Sequence, residues 1–259
     1  MKIIRFIVAG HNHYGILKGN KVQQLYAKPF RYLKLLDQFY KLNEVKLLAS
    51  CQPSKIVAIG INYRSHATEF KHELPDSPLM FLKPSTAVIG PQDNIIYPSL
   101  AKQVDFEGEL GIVIGRKAHQ IDAADSMKYV LGYTCFNDVT ARDLQKKDGQ
   151  WTRAKGFDTF AALGPWIETE LDPAALRLET RLNGEIKQSG TTADLIFPVA
   201  QLVSAVSHVM TLLPGDVIAS GTPSGVGPMQ PGDTVEIEIE GIGTLVNHVS
   251  KETSISHPD

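Results

Sequence analysis

Cysteine is nearly absent from this chain. Of 259 residues only Cys51 and Cys135 are cysteines. They stand far apart and form no CxxC or Cys/His pattern, which excludes a disulfide framework and a structural zinc site. A reducing, cytoplasmic compartment is the expectation. Long apolar runs are missing as well. No stretch approaches the roughly 20 residues that span a bilayer, so no membrane association is expected. The apolar start, Met1-Lys-Ile-Ile-Arg-Phe-Ile-Val8, is interrupted by Arg5 and turns polar at His11-Asn-His13, unlike a secretory leader. Neither sign of charge dominates: 26 Lys+Arg face 28 Asp+Glu, for a formal net charge of -2. There is no basic stripe and no interleaving of basic and aromatic residues, so no nucleic-acid partner is expected. Nucleotide-binding glycine motifs are lacking too: no GxGxxG opens a helix, and there is no Walker loop.

What is present is an ordinary globular composition, 43% hydrophobic and 21% charged. The length allows one large domain with a small companion, at about 150 residues per domain. Pro53 marks a soft boundary between a small N-terminal cap, residues 1–52, and a main domain, residues 53–259. In the cap, Gly19-Asn20 between alternating segments predicts a hairpin. Phe30, Leu33, Leu36, Phe39, Tyr40 and Leu47 recur at roughly helical spacing and predict a helix within residues 30–48. The main domain reads as many short strands, with Asn183-Gly184 the strongest hairpin signal. Helices are few, at residues 122–128, 140–145 and 199–210. Regular βα alternation is missing, so the fold class is α+β with a large, mostly antiparallel or mixed sheet assembly.

The chemistry concentrates in Gln103-Val-Asp-Phe-Glu-Gly-Glu-Leu-Gly-Ile-Val-Ile-Gly115. Alternate residues of a strand share a face, so Asp105, Glu107 and Glu109 point together. A solvated edge strand carries such acids at no cost; buried ones must be paired, protonated or bound to metal. An all-oxygen set suits Mg²⁺ or Mn²⁺ better than Zn²⁺. Asp138 ends an apolar strand just before a short helix, where N-capping and metal ligation both fit. His11-x-His13 has ligand spacing but lies in a predicted surface turn. Ser65 can cap a short helix that sets His66 and Glu69 at i, i+3, either a general-base dyad or a surface pair without a role. Lys83 and Lys155 sit among apolar residues, as snorkelling surface lysines or as buried cations facing the acids. Ser220-Gly-Thr-Pro-Ser-Gly-Val-Gly-Pro228 can present backbone N–H groups to an anion, or can serve only as a tight turn.

Together these segments resemble the fumarylacetoacetate hydrolase family. The resemblance runs in order through Gly60-x-Asn-Tyr-x-x-His-x-x-Glu69, Phe81-Leu-Lys-Pro-Ser85, Asp105-x-Glu-Gly-Glu-Leu110 and Asn137-Asp-Val-Thr-Ala-Arg-Asp143. It continues through Lys155-Gly-Phe-Asp-Thr159, Leu163-Gly-Pro-Trp166, Leu182-Asn-Gly-Glu185 and Ser220-Gly-Thr-Pro-Ser-Gly-Val-Gly227. It implies a mixed β-sandwich roll, a homodimer, and Mg²⁺, with Mn²⁺ or Ca²⁺ in its place, held by Glu107, Glu109 and Asp138. It also implies His66 and Glu69 as the catalytic dyad, on a segment that forms a lid, and Lys155 as a catalytic residue beside the metal. Lys83, Arg142, Gln145 and Thr222 become substrate-binding residues. The short cap matches the compact branch of acylpyruvate hydrolases, oxaloacetate decarboxylases and 2-hydroxyhepta-2,4-diene-1,7-dioate isomerases. Some relatives carry His where this chain has Asp105, which makes Asp105 an acceptor behind the ligands. The implied substrate is a small 2-oxo carboxylic acid and the implied reaction is C–C bond hydrolysis through a stabilised enolate. Decarboxylation and isomerisation share that enolate. A protein that binds 2-oxo acids without turnover is the reading outside catalysis.

Overall fold

Alternating burial along short extended segments builds most of this chain into β-sheets. A computed structural model describes residues 1–30, 32–65 and 74–252. The largest sheet among them runs, in spatial order, through Leu35–Lys41, Lys21–Leu25, His11–Lys18, Lys2–Val8, Ala161–Glu168, Val130–Asp138, Gly108–Ile114, Val217–Ala219, Ile56–Gly60 and Leu79–Lys83. Most neighbours are antiparallel; Val217–Ala219 and Ile56–Gly60 run parallel. A second sheet orders Glu185–Thr191, Arg177–Leu182, Thr234–Ile239, Gly243–Lys251 and Asn94–Tyr97.

The two sheets pack face to face. Leu110, Ile112 and Ile114 of the first meet Leu178, Ile237, Ile239 and Leu245 of the second in one apolar cluster. The helix Val199–Val209 closes this layer with Leu202, Val203 and Val206. Every residue of Gly108–Ile114 is buried. A strand covered on both faces reads as a continuous apolar run, and Leu-Gly-Ile-Val-Ile is one. Gly108 is required where the sheets come closest, because a Cβ there would stand 2.1 Å from Thr180 Oγ1. The mixed sandwich and the scarcity of helix agree with the expected fold class.

Two local expectations fail in the cap. The helix expected within residues 30–48 is instead the strand Leu35–Lys41 followed by the 3₁₀ turn Leu42–Glu44. The strand pairs antiparallel with Lys21–Leu25, setting Val22 opposite Tyr40. A helix there would have needed an apolar surface to face, whereas an open sheet edge offers unpaired backbone groups. Leu33, Leu35 and Phe39 stay exposed. His11 and His13 belong to the strand His11–Lys18 rather than to a turn, and His13 packs on Phe6. The cap also shares the large sheet with the rest of the chain: Lys2 pairs with Glu168 and Ile3 with Ile167.

Candidate active site

The acidic segment changes sheets at Glu107. Val104–Phe106 pairs with Thr140–Ala141 and Gly227–Met229 in a small third sheet, and Gly108–Ile114 enters the large one. Glu107 lies in the break between them. Its N–H donates to Asn137 Oδ1 at 3.0 Å, and its carbonyl accepts from Asp138 N–H at 2.9 Å. This clamp brings the end of Val130–Asp138 beside the break. Glu107, Glu109 and Asp138 thereby offer ligand oxygens all within 4.8 Å of one another, and all three are buried.

Three buried cations surround them. Lys155 Nζ donates to Glu107 Oε2 at 2.8 Å and to Asp138 Oδ2 at 2.7 Å. Lys83 Nζ donates to Asp138 Oδ1 at 2.6 Å and to the Val139 carbonyl at 3.1 Å. Arg142 donates through Nε to Asp105 Oδ2 at 2.8 Å and through Nη2 to Glu107 Oε1 at 2.5 Å. With Asp105 counted, four carboxylates face three cations. Glu109 is the acid left over: its hydrogen-bond partner among the described residues is the Gly221 N–H, at 2.8 Å.

The electrostatics follow from this imbalance. Burial, then the charges of Asp138 and Glu107, push the Glu109 carboxyl well above the usual carboxylate range. Burial pulls the Lys83 ammonium down despite Asp138. Burial also works against Lys155, but Asp138 and Glu107 outweigh it and hold that ammonium above the ordinary lysine value. A divalent cation fits this donor set: three convergent carboxylates, one of them without an ion-pair partner among the described residues, and oxygen as the sole ligand type.

A cavity of about 370 Å³ opens on the carboxylates. Arg142, Gln145, Lys155 and Thr222 line it on the polar side, and Ile59, Phe81 and Trp151 on the apolar side. Gly60 admits the indole, since a Cβ there would stand 2.8 Å from Trp151. Phe81 and Trp151 pack edge to face at 5.0 Å. Gln145 uses its carbonyl oxygen on Arg142 Nη1 at 2.7 Å. Thr222 Oγ1 donates to the Gly108 carbonyl and accepts from Gln188 Nε2, both at 2.8 Å. The Gly221 φ of +97° aims its N–H at Glu109, so this N–H of the glycine-rich loop serves a carboxylate of the protein.

Of the residues singled out in the sequence, Glu107, Glu109, Asp138, Lys155, Arg142, Gln145 and Thr222 meet at this cavity. Lys83 is fully buried and contacts Asp138 and Val139; it is not among the lining residues. Asp105 accepts from Arg142 and from Gln103 Nε2, behind the ligand-bearing acids. His66 and Glu69, with residues 70–73 of the expected lid, lie outside the described residues. Ile59, Trp151 and the clamp from Gln188 onto Thr222 were missed. No spacing signal marks them, because each reaches the site from a distant segment.

Comparison with known proteins decides the family. The family model described as fumarylacetoacetate (FAA) hydrolase C-terminal matches residues 55–250, and one described as Rv2993c-like, N-terminal matches residues 1–49. The chain belongs to the fumarylacetoacetate hydrolase family. The crystal structure of 2-hydroxyhepta-2,4-diene-1,7-dioate isomerase from Mycobacterium marinum superposes with a TM-score of 0.92 at 44% identity, covering 98% of this chain and 100% of that one. The mitochondrial oxaloacetate tautomerase Fahd2a of Rattus norvegicus is 42% identical over 209 residues, 76% of this chain and 67% of the relative. Maleylpyruvate hydrolase from Sphingobium sp. SYK-6, in complex with manganese (II) ion and pyruvate, superposes with a TM-score of 0.81 at 29% identity, covering 98% of this chain and 100% of that one. The family thus spans isomerase, tautomerase and hydrolase members. No helix among the described residues is long and apolar enough to cross a membrane.

Proposed function

We propose that this protein is a divalent-metal-dependent enzyme that moves a proton at C3 of a small 2-oxo dicarboxylic acid, interconverting its keto and enol forms. The observation that carries this reading is the convergence of Glu107, Glu109 and Asp138 beside the buried Lys155 ammonium, at the base of a half-apolar cavity. Glu107, Glu109 and Asp138 would hold the cation, Mg²⁺ by preference with Mn²⁺ or Ca²⁺ able to replace it. When bound, it supplies Lewis-acid polarisation of the 2-oxo group. In the step itself the C3–H bond breaks, a C2–C3 double bond forms, and the C2 oxygen takes up negative charge and then a proton.

Lys155 supplies fixed positive charge where that oxyanion develops, beside the apolar wall of Phe81 and Trp151. The amide nitrogen of Gln145 remains for the substrate while its oxygen holds Arg142. Arg142 and the backbone N–H of Thr222 orient the carboxylate end, since the Thr222 hydroxyl proton is held by the Gly108 carbonyl. His66, oriented by Glu69, is the proposed group that takes the C3 proton. The tautomerase and isomerase relatives, at 42% and 44% identity, support proton transfer over bond cleavage. A homodimer in the cytoplasm completes the reading, supported by exposed Leu79 and Leu82 on one edge strand of the large sheet and Leu35 and Phe39 on the other.

Hydrolysis of a C–C bond is the second reading, favoured by the maleylpyruvate hydrolase neighbour. In that reaction His66 would activate water toward a distal carbonyl, and the same enolate would be the leaving group. A Mg²⁺-dependent panel distinguishes them: oxaloacetate tautomerisation and decarboxylation, acylpyruvate cleavage, and isomerisation of 2-hydroxymuconate-type diacids. The proposal expects tautomerisation to dominate kcat/KM. Dominant acylpyruvate cleavage would replace it with the hydrolase reading, and binding of oxalate without turnover of any substrate would leave a 2-oxo acid binding protein.

A further inference from the structure

A second cavity, of about 390 Å³, lies between the N-terminal strand and the main body of the fold and shares no lining residue with the first. Arg5 forms one wall, Leu48, Ala49 and Cys51 another, and Gly90 and Asp93 a third. A Cβ on Gly90 would stand 2.4 Å from the Ala49 nitrogen, so two of these walls are locked by direct backbone approach.

Arg5 lies on the strand Lys2–Val8, on the face opposite Ile4 and Phe6. It is only 8% exposed. Its contact among the described residues is from Nη1 to the Ala49 carbonyl at 3.5 Å, the outer limit of a hydrogen bond, and it forms no ion pair among them. A guanidinium stays cationic and carries five N–H donors, so a buried one left in this condition is an unmet demand for an anion. The Tyr14 hydroxyl, close enough to feel the Arg5 charge, is also buried, with no hydrogen-bond partner among the described residues.

The nearby acids are already engaged. Asp93 accepts from the Gly90 N–H at 2.9 Å and from Lys46 Nζ at 3.2 Å. Asp216 is held by Ser54 and Lys55. Burial pushes the Cys51 thiol up to about 12 despite Arg5, so it stays a neutral wall and not a nucleophile. Among the described residues, no acid lining the cavity is therefore left to pair with Arg5.

We propose that this cavity binds a small oxyanion, a carboxylate or inorganic phosphate, gripped by the guanidinium fork of Arg5. A fork presents two parallel N–H groups to two oxygens of such an anion. Occupancy would tie the Lys2–Val8 strand to the connection around Ala49 and Cys51, and so stabilise the cap on the main body.

The test is thermal unfolding of the full chain in Mg²⁺ buffer at fixed ionic strength, with chloride, inorganic phosphate or malonate as the anion. Wild type is expected to gain at least about 3 °C from phosphate, malonate or both over chloride, as ligand binding to the native state requires. Arg5→Met is expected to melt no lower than wild type in chloride and to lose that gain, with kcat unchanged. Any gain from binding at the catalytic cavity is common to both proteins, so the difference between them is the readout. A gain from phosphate alone assigns a phosphate site, and from malonate alone a carboxylate site. No gain over chloride in wild type, or an equal gain in Arg5→Met, overturns the proposal. Arg5→Lys keeps the charge without the fork and guards against a misfolded Met variant: it is expected to weaken the anion at least tenfold, and undiminished affinity overturns the bidentate assignment.

Discussion

Asp216 and Glu109 are both buried carboxylates, 0% and 1% exposed; Glu109 lies on Gly108–Ile114, and Asp216 immediately precedes Val217–Ala219, the strand that pairs with it. Their surroundings differ in kind. Asp216 accepts from the Ser54 N–H at 2.9 Å, the Ser54 hydroxyl at 2.6 Å, Lys55 Nζ at 2.6 Å and the Leu213 N–H at 2.8 Å. Burial works to raise its pKa, but Lys55 and Ser54 outweigh it and hold the carboxyl below the usual range. Glu109 has one backbone N–H and two acidic neighbours, and its carboxyl is driven up. A carboxylate whose acceptor capacity is filled by the protein fastens the structure. One that is buried, crowded by other acids and without an ion pair among the described residues awaits something positive.

Neutralising each acid tests this contrast most severely. Glu109→Gln removes a charge that destabilises its surroundings, so its melting temperature is expected to equal or exceed that of wild type. Its kcat/KM should nevertheless fall about 10³-fold or more, the effect of losing several kcal/mol of charge stabilisation. A marked drop in melting temperature would make Glu109 structural. Lys155→Met comes next, with kcat expected to fall about 10²- to 10³-fold while the divalent cation still binds. Retained kcat in steady-state assays would remove Lys155 from the chemistry.

Asp216→Asn should do the reverse of Glu109→Gln. Urea unfolding is expected to show a loss of about 3 kcal/mol, the cost of breaking a buried, hydrogen-bonded ion pair, with activity per folded molecule unchanged. The folded-state pKa of Asp216 is depressed, so its contribution is fully present above the unfolded value, about 4, and fades as pH falls through the folded value. The gap between wild type and Asp216→Asn should therefore hold from pH 7 to about pH 5 and close in stronger acid. A gap that widens on acidification would reverse the assignment. The smallest effect is expected from Thr222→Val. Its hydroxyl is engaged by Gly108 and Gln188 and its backbone N–H is untouched by the substitution, so steady-state kinetics should show only a loosened loop: KM raised about tenfold at most, with kcat nearly intact.

The carboxylate face was legible because alternation is a local property: Asp105, Glu107 and Glu109 announce themselves at period two. Ordered motifs extended that reading to Asp138, Lys155 and Thr222. Hairpins at Gly19-Asn20 and Asn183-Gly184 were legible for the same local reason, and both formed. The change of sheet at Glu107 was not, since it depends on Asn137 and Asp138 arriving from another strand. Nor was the place of Lys83 beneath Asp138, as its spacing served a snorkelling lysine equally well. The cap helix misled because Leu35–Lys41 takes its conformation from pairing with Lys21–Leu25, a contact that the spacing of apolar residues does not encode.

The most direct measurement is calorimetric titration of Mg²⁺ and Mn²⁺ into wild type, Glu109→Gln and Asp216→Asn. One divalent cation is expected to bind per wild-type chain, with unchanged affinity in Asp216→Asn and at least 100-fold weaker affinity in Glu109→Gln. Equal affinity in wild type and Glu109→Gln, or no binding by wild type, would contradict the assignment of the open carboxylates to a metal.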